Sequence, residues 1–167
     1  MPRPVVSEDA QAQKSYRVVY AVHELMGGDL TKQENIPTRF IGLIALRSLE
    51  PTMLALPPDW FPTPKTPYLI LELSYQFLPV SWSHGFATES LAAVFTGCRQ
   101  AKGYWTPLEK VYVRAIVNVP NKASLRVVEK VGLKELGLFV WEGEEVWMAG
   151  KWTGREELSI WGRWLAE

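Results

Sequence analysis

Alternating β-branched and aromatic residues mark the first convincing element of the chain, a strand over residues 16–22. A second run of this kind, residues 39–46, is predicted to be its antiparallel partner, with a turn over residues 27–29 between them. Residues 1–14 are polar and short, so we expect them to contribute little to the core. The chain is therefore predicted to open with a long-looped β-hairpin.

The segment 51–67 is rich in proline, with six prolines and with Trp60 and Phe61 among them. Proline lacks the backbone N–H that a sheet ladder needs, so this segment is predicted to be a loop. Two interpretations are open. The loop is either an insertion packed over the sheet edge or an aromatic wall of a substrate pocket, since loops of this length inside compact domains are often functional.

A β-α-β unit is predicted after the loop. Residues 68–77 form a strand, residues 110–117 form its parallel neighbour, and the helix between them ends at Gly103. The apolar face of that helix consists of Leu91, Val94, Phe95 and Cys98. Pro79 removes a ladder donor where the first strand ends, so we expect the parallel strands to separate there. A gap lined by free amides would suit an extended, amide-bearing ligand.

The turn before this helix is a candidate anion site. Gly85 permits a positive φ and Ala87 keeps a nearby position small. The free N–H groups of the first helical turn and the positive end of the helix dipole point back into the turn, where a phosphate can bind. The alternative is a glycine that is required only for steric reasons.

A second helix is predicted to begin after the N-cap residue Asn121 and to end before Gly132 at the C′ position. Leu125 and Val128 begin its apolar face. Two hairpin strands, residues 133–141 and 145–152, are expected to follow, joined at residues 142–144. Near the C-terminus, Ile160, Trp161 and Trp164 have helical spacing and predict a short docked helix.

Composition narrows the possible functions. The 167 residues, 47% of them hydrophobic, predict a single domain over residues 1–167. Lys+Arg and Asp+Glu are both 18, so the chain has no net charge that would attract nucleic acid or an acidic membrane surface. A lone Cys98 and two distant histidines, His23 and His84, indicate neither disulfides nor a metal site. With no signal-like N-terminus or long apolar span, we expect a cytoplasmic protein.

Two motifs carry a resemblance to a known family. The sequence of residues 82–90, WSHGFATES, resembles the W-G-x-G-[YF]-A-T-E-A signature of the GCN5-related N-acetyltransferases (GNATs). Residues 121–133, NKASLRVVEKVGL, resemble the N-x-x-S-x-R-V-x-E-K-x-G-F helix of their RimJ/RimL-like branch. The two motifs stand in the family's order, bracket the predicted β-α-β unit, and belong to a resemblance that covers roughly residues 39–152.

The resemblance implies an α/β (α+β) fold: a mixed, mostly antiparallel twisted sheet with a central splayed parallel pair and flanking helices. It implies acetyl-CoA as co-substrate and no metal. The pantetheine arm would lie in the gap, near the backbone amides around Phe77, Leu78 and Val80 and beside Asn121. The turn would hold the pyrophosphate through the amides of Ser83, His84, Gly85, Phe86, Ala87 and Thr88.

The implied reaction is direct attack of an amine on the thioester. Glu72 stands where many family members place the carboxylate that deprotonates the ammonium, although a strand carboxylate also pairs with neighbouring cations. Ser124 matches the serine proposed to protonate the thiolate, although it also fits a serine that only packs in the helix. Val128 occupies the position of a catalytic tyrosine found in other members. The aromatic residues assigned to the acceptor side are Trp60, Phe61 and Tyr75.

Two departures from the family leave the function open. Ser83 and His84 replace a glycine and a basic residue, so the pyrophosphate loses one permanent charge. The region before the first strand is also short, so we expect a truncated chain, a wall supplied by the proline-rich loop and a partner subunit such as a homodimer, or lost catalysis. The leading hypothesis is acetyl transfer to a primary amine, either a protein N-terminus or a small molecule. The alternatives are a non-catalytic acyl-CoA-binding or assembly module, and an enzyme acting on an apolar small molecule without CoA.

Overall fold

The computed structural model describes residues 15–27, 36–51, 53–63, 65–148 and 151–166. They form a six-stranded sheet in the order β1-β2-β3-β4-β6-β5, with two α-helices. In chain order the elements are β1 Arg17–Leu25, β2 Thr38–Ser48, β3 Tyr68–Phe77, α1 Phe86–Gln100, β4 Lys110–Asn118, α2 Lys122–Lys130, β5 Lys134–Met148 and β6 Lys151–Ala166. Strands β3 and β4 are parallel, and the other neighbouring pairs of the described sheet are antiparallel. The predicted fold class is confirmed.

Several local predictions are confirmed as well. The opening hairpin forms from β1 and β2, and the β-α-β unit forms from β3, α1 and β4. The second helix has its N-cap at Asn121 and a glycine at positive φ, Gly132, just after its end. Residues 1–14, and Gly28 and Asp29 of the predicted first turn, lie outside the described residues.

The two faces of the sheet differ in what covers them. One face, called the helix face here, packs the buried Leu69, Leu71 and Leu73 of β3 into a core with α1. All four predicted apolar positions of α1 are buried, which confirms that prediction. Because side chains alternate along a strand, Glu72 on β3 and Arg114 on β4 point to the opposite side, called the far face here.

The proline-rich loop covers part of the far face. It contains a short 3-10 helix, Pro58–Trp60. Its Leu54 carbonyl accepts a 3.2 Å hydrogen bond from Arg114, and the Phe61 ring lies 6.3 Å from that of Tyr112 on β4. The loop therefore packs over the face of β4 rather than over a sheet edge.

The prediction that α1 ends at Gly103 is wrong. The helix ends at Gln100, and Gly103 lies inside a following 3-10 helix, Lys102–Trp105. Trp105 gives the reason, because its indole is 2% exposed and donates a 2.9 Å hydrogen bond to the Cys98 carbonyl. Because the chain turns back to bury this ring against α1, the helix ends before it reaches Gly103.

The predictions for the C-terminal part are also wrong in two respects. Residues 142–144 do not join two strands but belong to β5, which bulges between Glu142 and Val146. No terminal helix forms at residues 160–164. Instead β6 runs to Ala166 and lies between β4 and β5, so it supplies hydrogen-bonding partners to both strands.

The parallel strands separate as predicted, but not for the predicted reason. Pairing of β3 with β4 stops at Leu73 and Ala115, well before Pro79. Beyond that point β3 stays paired with β2 to Phe77, and β4 stays paired with β6 to Asn118. Each half of the twisted sheet follows its own antiparallel partner, which opens the gap.

Candidate active site

The gap between β3 and β4 continues into two connected clefts. A narrow cleft of about 250 Å³ lies at the closed end of the gap, and a wide cleft of about 900 Å³ extends toward the beginning of α1. Three residues line both clefts and therefore mark where they join: Tyr75, Asn121 and Ser124. A long ligand can reach from the wide cleft into the narrow one at this junction.

The beginning of α1 forms one end of the wide cleft. Ser83 and Gly85 both have positive φ, 64° and 85°, and no side chain caps the helix. The backbone N–H groups of the first turn, at Phe86, Ala87 and Thr88, have no partner within the helix. All three residues line the cleft, so this end can accept an anion.

The predicted CoA-binding residues divide into two groups. Two of them, Val80 and His84, are absent from the lining of both clefts. His84 Nδ1 lies 2.7 Å from the Trp82 carbonyl oxygen, and its ring stacks on Phe86 at 5.8 Å. The group that lines the wide cleft consists of Phe77, Leu78, Ser83, Gly85, Phe86, Ala87, Thr88 and Asn121.

Sequence reasoning missed two basic residues of the wide cleft. Arg126 and Lys130 line it from α2, opposite the turn before α1. They stand four positions apart and therefore on one side of the helix, away from the buried Val128. This i,i+4 spacing was visible in the sequence, and it places two permanent charges where the turn itself carries none.

The first turn of α2 fixes the junction. Asn121 Oδ1 accepts a 3.1 Å hydrogen bond from the Ser124 backbone N–H, so the N-cap does not use the donors of the Asn121 amide nitrogen. Tyr75 donates from its hydroxyl to the Ser124 carbonyl oxygen at 3.4 Å. Burial raises the pKa of Tyr75, so its hydroxyl stays protonated in the neutral range. Val128, at the position of the family's tyrosine, is fully buried.

Glu72 lines the narrow cleft and contacts two arginines. Its Oε2 lies 2.8 Å from Arg114 Nη2, and its Oε1 lies 3.2 Å from Arg47 Nη2. The Arg114 side chain is only 3% exposed, so Glu72 compensates a charge that water cannot reach. The arrangement of this carboxylate matches the ion-pairing interpretation, while a catalytic role stays a prediction.

Trp60 and Phe61 line neither cleft. Trp60 packs edge-on against Phe139 and against Gly137, and Phe61 lies 6.0 Å from the Arg114 guanidinium. The two rings therefore support the strands and Arg114 from the far face. Tyr75 is the one of the three predicted acceptor-side aromatics that reaches the clefts.

The described residues contain no group of three or more His, Cys, Asp or Glu side chains that could hold a metal ion. Among the described helices, none has the length and apolar character that crossing a membrane requires.

A family model described as "Acetyltransferase (GNAT) domain" matches residues 4–134. The chain belongs to the GNAT acetyltransferase family. This match includes both clefts, the turn before α1 and all of α2. No curated protein matches the chain significantly.

Solved GNAT structures share the fold. An acetyltransferase of the GNAT family from Streptococcus pneumoniae is 12% identical over 75% of this chain, with a TM-score of 0.50. A GNAT superfamily phosphinothricin acetyltransferase from Sinorhizobium meliloti, in complex with AcCoA, is 16% identical over 77%, at 0.51. The spermidine/spermine N-acetyltransferase SpeG from Vibrio cholerae, in mutant forms, is 17% identical over 89%, at 0.51. This chain covers 60%, 56% and 67% of those chains, so it spans about three fifths of their length.

Proposed function

We propose that this GNAT is an acetyl-CoA-dependent N-acetyltransferase that transfers acetyl to a primary amine by direct attack. The observation that carries the proposal is the continuous cleft from the uncapped start of α1 to the closed end of the gap between β3 and β4. In this proposal the cleft would hold a phosphate at one end, an extended amide chain along its length and the reacting groups at the other end.

CoA would lie along the wide cleft. The N–H groups of Phe86, Ala87 and Thr88 would hold the pyrophosphate, and Arg126 and Lys130 would supply positive charge from the other side. The pantetheine arm would pass Phe77 and Leu78 and reach Asn121 at the junction. The AcCoA complex of the Sinorhizobium meliloti structure, which shares this fold, supports acetyl-CoA as the ligand.

The acetyl group would then sit where the clefts meet, with the amine in the narrow cleft. Glu72 is the candidate base, but both of its oxygens are already bonded to guanidinium groups. Direct proton abstraction would compete with those bonds, whereas a water relay would leave them intact. We therefore assign Glu72 to proton removal through water. The proton for the departing thiolate is assigned to a hydroxyl at the junction, where the family motif indicates Ser124 as one candidate.

The acceptor is proposed as a protein N-terminus or a small amine. The helix motif at residues 121–133 supports the RimJ/RimL-like branch, and the Vibrio cholerae enzyme, named for spermidine and spermine, supports a small amine. Val19 and Leu43, which are 50% and 42% exposed, support the expectation that a second copy covers part of β1 and β2.

A non-catalytic acyl-CoA-binding module is the second candidate. Two observations favour it: Val128 is buried where a tyrosine would act, and Glu72 is engaged by Arg47 and Arg114. The packing of Trp60 and Phe61 against the sheet gives no support to an apolar pocket built from them.

Two measurements test these functions. Titration calorimetry with acetyl-CoA should show binding, and an absence of binding would reject both the transferase and the CoA-binding module. Thiol release is then followed over a panel containing spermidine, free amino acids and peptides with free N-termini. Release that depends on an amine establishes transfer, whereas binding without release across the panel favours the non-catalytic module.

A further inference from the structure

The position of a family tyrosine on α2 is occupied here by Val128, which is 0% exposed and part of the core. No phenol can therefore reach a bound ligand from that position. The residues that line the two clefts nevertheless include one tyrosine, Tyr75, contributed by β3.

The Tyr75 hydroxyl contacts α2 at Ser124, one helical turn before position 128. In an α-helix the carbonyl of residue 124 accepts the N–H of residue 128, so these two positions are one turn apart. The Tyr75 hydroxyl lies 3.4 Å from that Ser124 carbonyl oxygen. The Tyr75 phenol thus reaches this part of α2 from strand β3, whereas a tyrosine at position 128 would belong to the helix itself.

The geometry suits a donor that changes partner. Hydroxyl-to-oxygen hydrogen bonds are usually 2.5–3.0 Å long, so at 3.4 Å the bond to Ser124 is weak and a nearby anion is a better acceptor. Burial keeps the phenol protonated, because its pKa is raised above the ordinary value. Tyr75 also lines both clefts where they join, and the proposed function places the thioester sulfur of bound acetyl-CoA at this junction.

We propose that Tyr75 is the proton donor to the CoA sulfur in this enzyme, an inference that rests on the proposed function. The amine nitrogen forms a bond to the thioester carbon, and the carbon–sulfur bond of the resulting tetrahedral intermediate breaks. The sulfur takes the proton of the Tyr75 hydroxyl. The phenolate recovers a proton from the positively charged amide nitrogen, so the products are the neutral amide and CoA with a free thiol.

The competing donor is the Ser124 hydroxyl, which lines both clefts as well. The pKa of a serine hydroxyl is several units higher than that of a phenol, so the phenol is the stronger acid. The two residues are therefore separable by experiment, although they lie in contact.

The test measures the thiol pKa of bound CoA through the ultraviolet absorbance of its thiolate, so it needs no amine acceptor. A hydrogen bond donated to a thiolate lowers the pKa of the thiol by about one unit. Bound to the wild-type protein, the CoA thiol should have a pKa below that of free CoA. Tyr75→Phe should remove this difference while CoA affinity changes less than about threefold, since the ring is retained.

Two variants serve as controls. Tyr20→Phe removes a phenol that bonds Cys98 in the core and lines neither cleft, and it should leave the bound thiol pKa unchanged. Ser124→Ala should also leave it lowered if Tyr75 is the donor. With an amine acceptor from the panel, Tyr75→Phe should lower kcat about 100-fold and leave the KM for acetyl-CoA unchanged.

The outcomes separate this inference from the proposed function. No CoA binding at all rejects the proposed function and this inference with it. CoA binding with an unshifted thiol pKa in the wild-type protein overturns the role of Tyr75 alone, without any variant. A shift that survives Tyr75→Phe but disappears in Ser124→Ala assigns the proton to the serine instead.

Discussion

Arg163 of β6 donates from Nη1 to the carbonyl oxygen of Val131, at the end of α2, over a distance of 2.5 Å. Its guanidinium also lies 5.7 Å from the ring of Phe95 on α1. One side chain of the last strand thus joins the end of α2 to the buried face of α1, and both helices border the wide cleft.

Arg163→Met should destabilise the protein by about 2 kcal/mol, because a hydrogen bond from a charged donor is lost and a helix carbonyl loses its partner. Urea unfolding measures the change, and CoA affinity should fall as α2 loosens. Arg155→Met is the matched control on the same strand: its contact to Glu142 is 3.5 Å long and exposed, so its effect should be within about 0.5 kcal/mol.

Gly85→Glu should abolish CoA binding. The substitution forces a side chain into a backbone with φ of 85° and adds a negative charge at the proposed pyrophosphate site. Like charges in contact cost several kcal/mol, so calorimetry should show a loss of at least about 100-fold. Gly97→Glu, inside α1 with open space around it, should leave the affinity unchanged. Equal affinities in the two variants would contradict the placement of the pyrophosphate.

Arg126→Gln and Lys130→Gln should each weaken CoA binding about five- to tenfold, with a smaller effect at high salt. Pantetheine, which has no phosphate, should bind each variant as it binds the wild-type protein. Lys122→Gln, on the same helix but outside the cleft lining, is the control. A loss of pantetheine affinity equal to the loss of CoA affinity would mean that α2 itself has been disturbed.

Glu72→Gln should have two separable effects. The free energy of unfolding should fall by about 3 kcal/mol, because the buried Arg114 loses its charge partner. If Glu72 also removes the amine proton, kcat should fall about 100-fold or more. Arg47→Gln breaks the more exposed contact and should cost within about 1 kcal/mol. Normal turnover by a folded Glu72→Gln variant would leave this carboxylate a purely structural role.

Alkaline pH should reveal the half-buried Tyr20. Burial, followed by the nearby Cys98, raises the pKa of Tyr20 from 10.0 to about 12. As the pH rises, the unfolded chain therefore loses the Tyr20 proton before the folded protein does. Titration of Tyr20 leaves the free energy of unfolding unchanged below about pH 10 and lowers it between about pH 10 and 12. Tyr20→Phe should flatten this part of the stability curve measured by urea unfolding. If the free energy of unfolding of the variant declines to the same extent above about pH 10, the decline is caused by other tyrosines.

The central unit of the fold could be predicted from sequence because its signals are local. The apolar spacing of α1, the N-cap at Asn121 and the glycine after α2 are each set by neighbouring residues. The sequence of strand β6 has no comparable local pattern that indicates a strand. Trp161 and Trp164 fit a helix by spacing, and what makes them a strand is pairing with β4, which is distant in sequence.

The site was predictable to the same degree. Backbone amides at the start of α1 follow from a glycine and a helix start. The engagement of Glu72 by Arg47 and Arg114 depends on cross-strand register, which places three residues from three strands side by side. Gly143 illustrates the same limit: it has the composition of a turn but lies in a bulge, since β5 continues beyond it.

The short ladder between β3 and β4 has a mechanical consequence. The described sheet consists of two three-stranded halves, and backbone pairing between them is confined to Tyr68–Leu73 and Lys110–Ala115. The width of the opening beyond that ladder is set by the angle between two stiff bodies. Substitutions in outer strands such as β1 or β5 can therefore alter the fit of a ligand many ångströms away, by rotating one body against the other without touching the ligand.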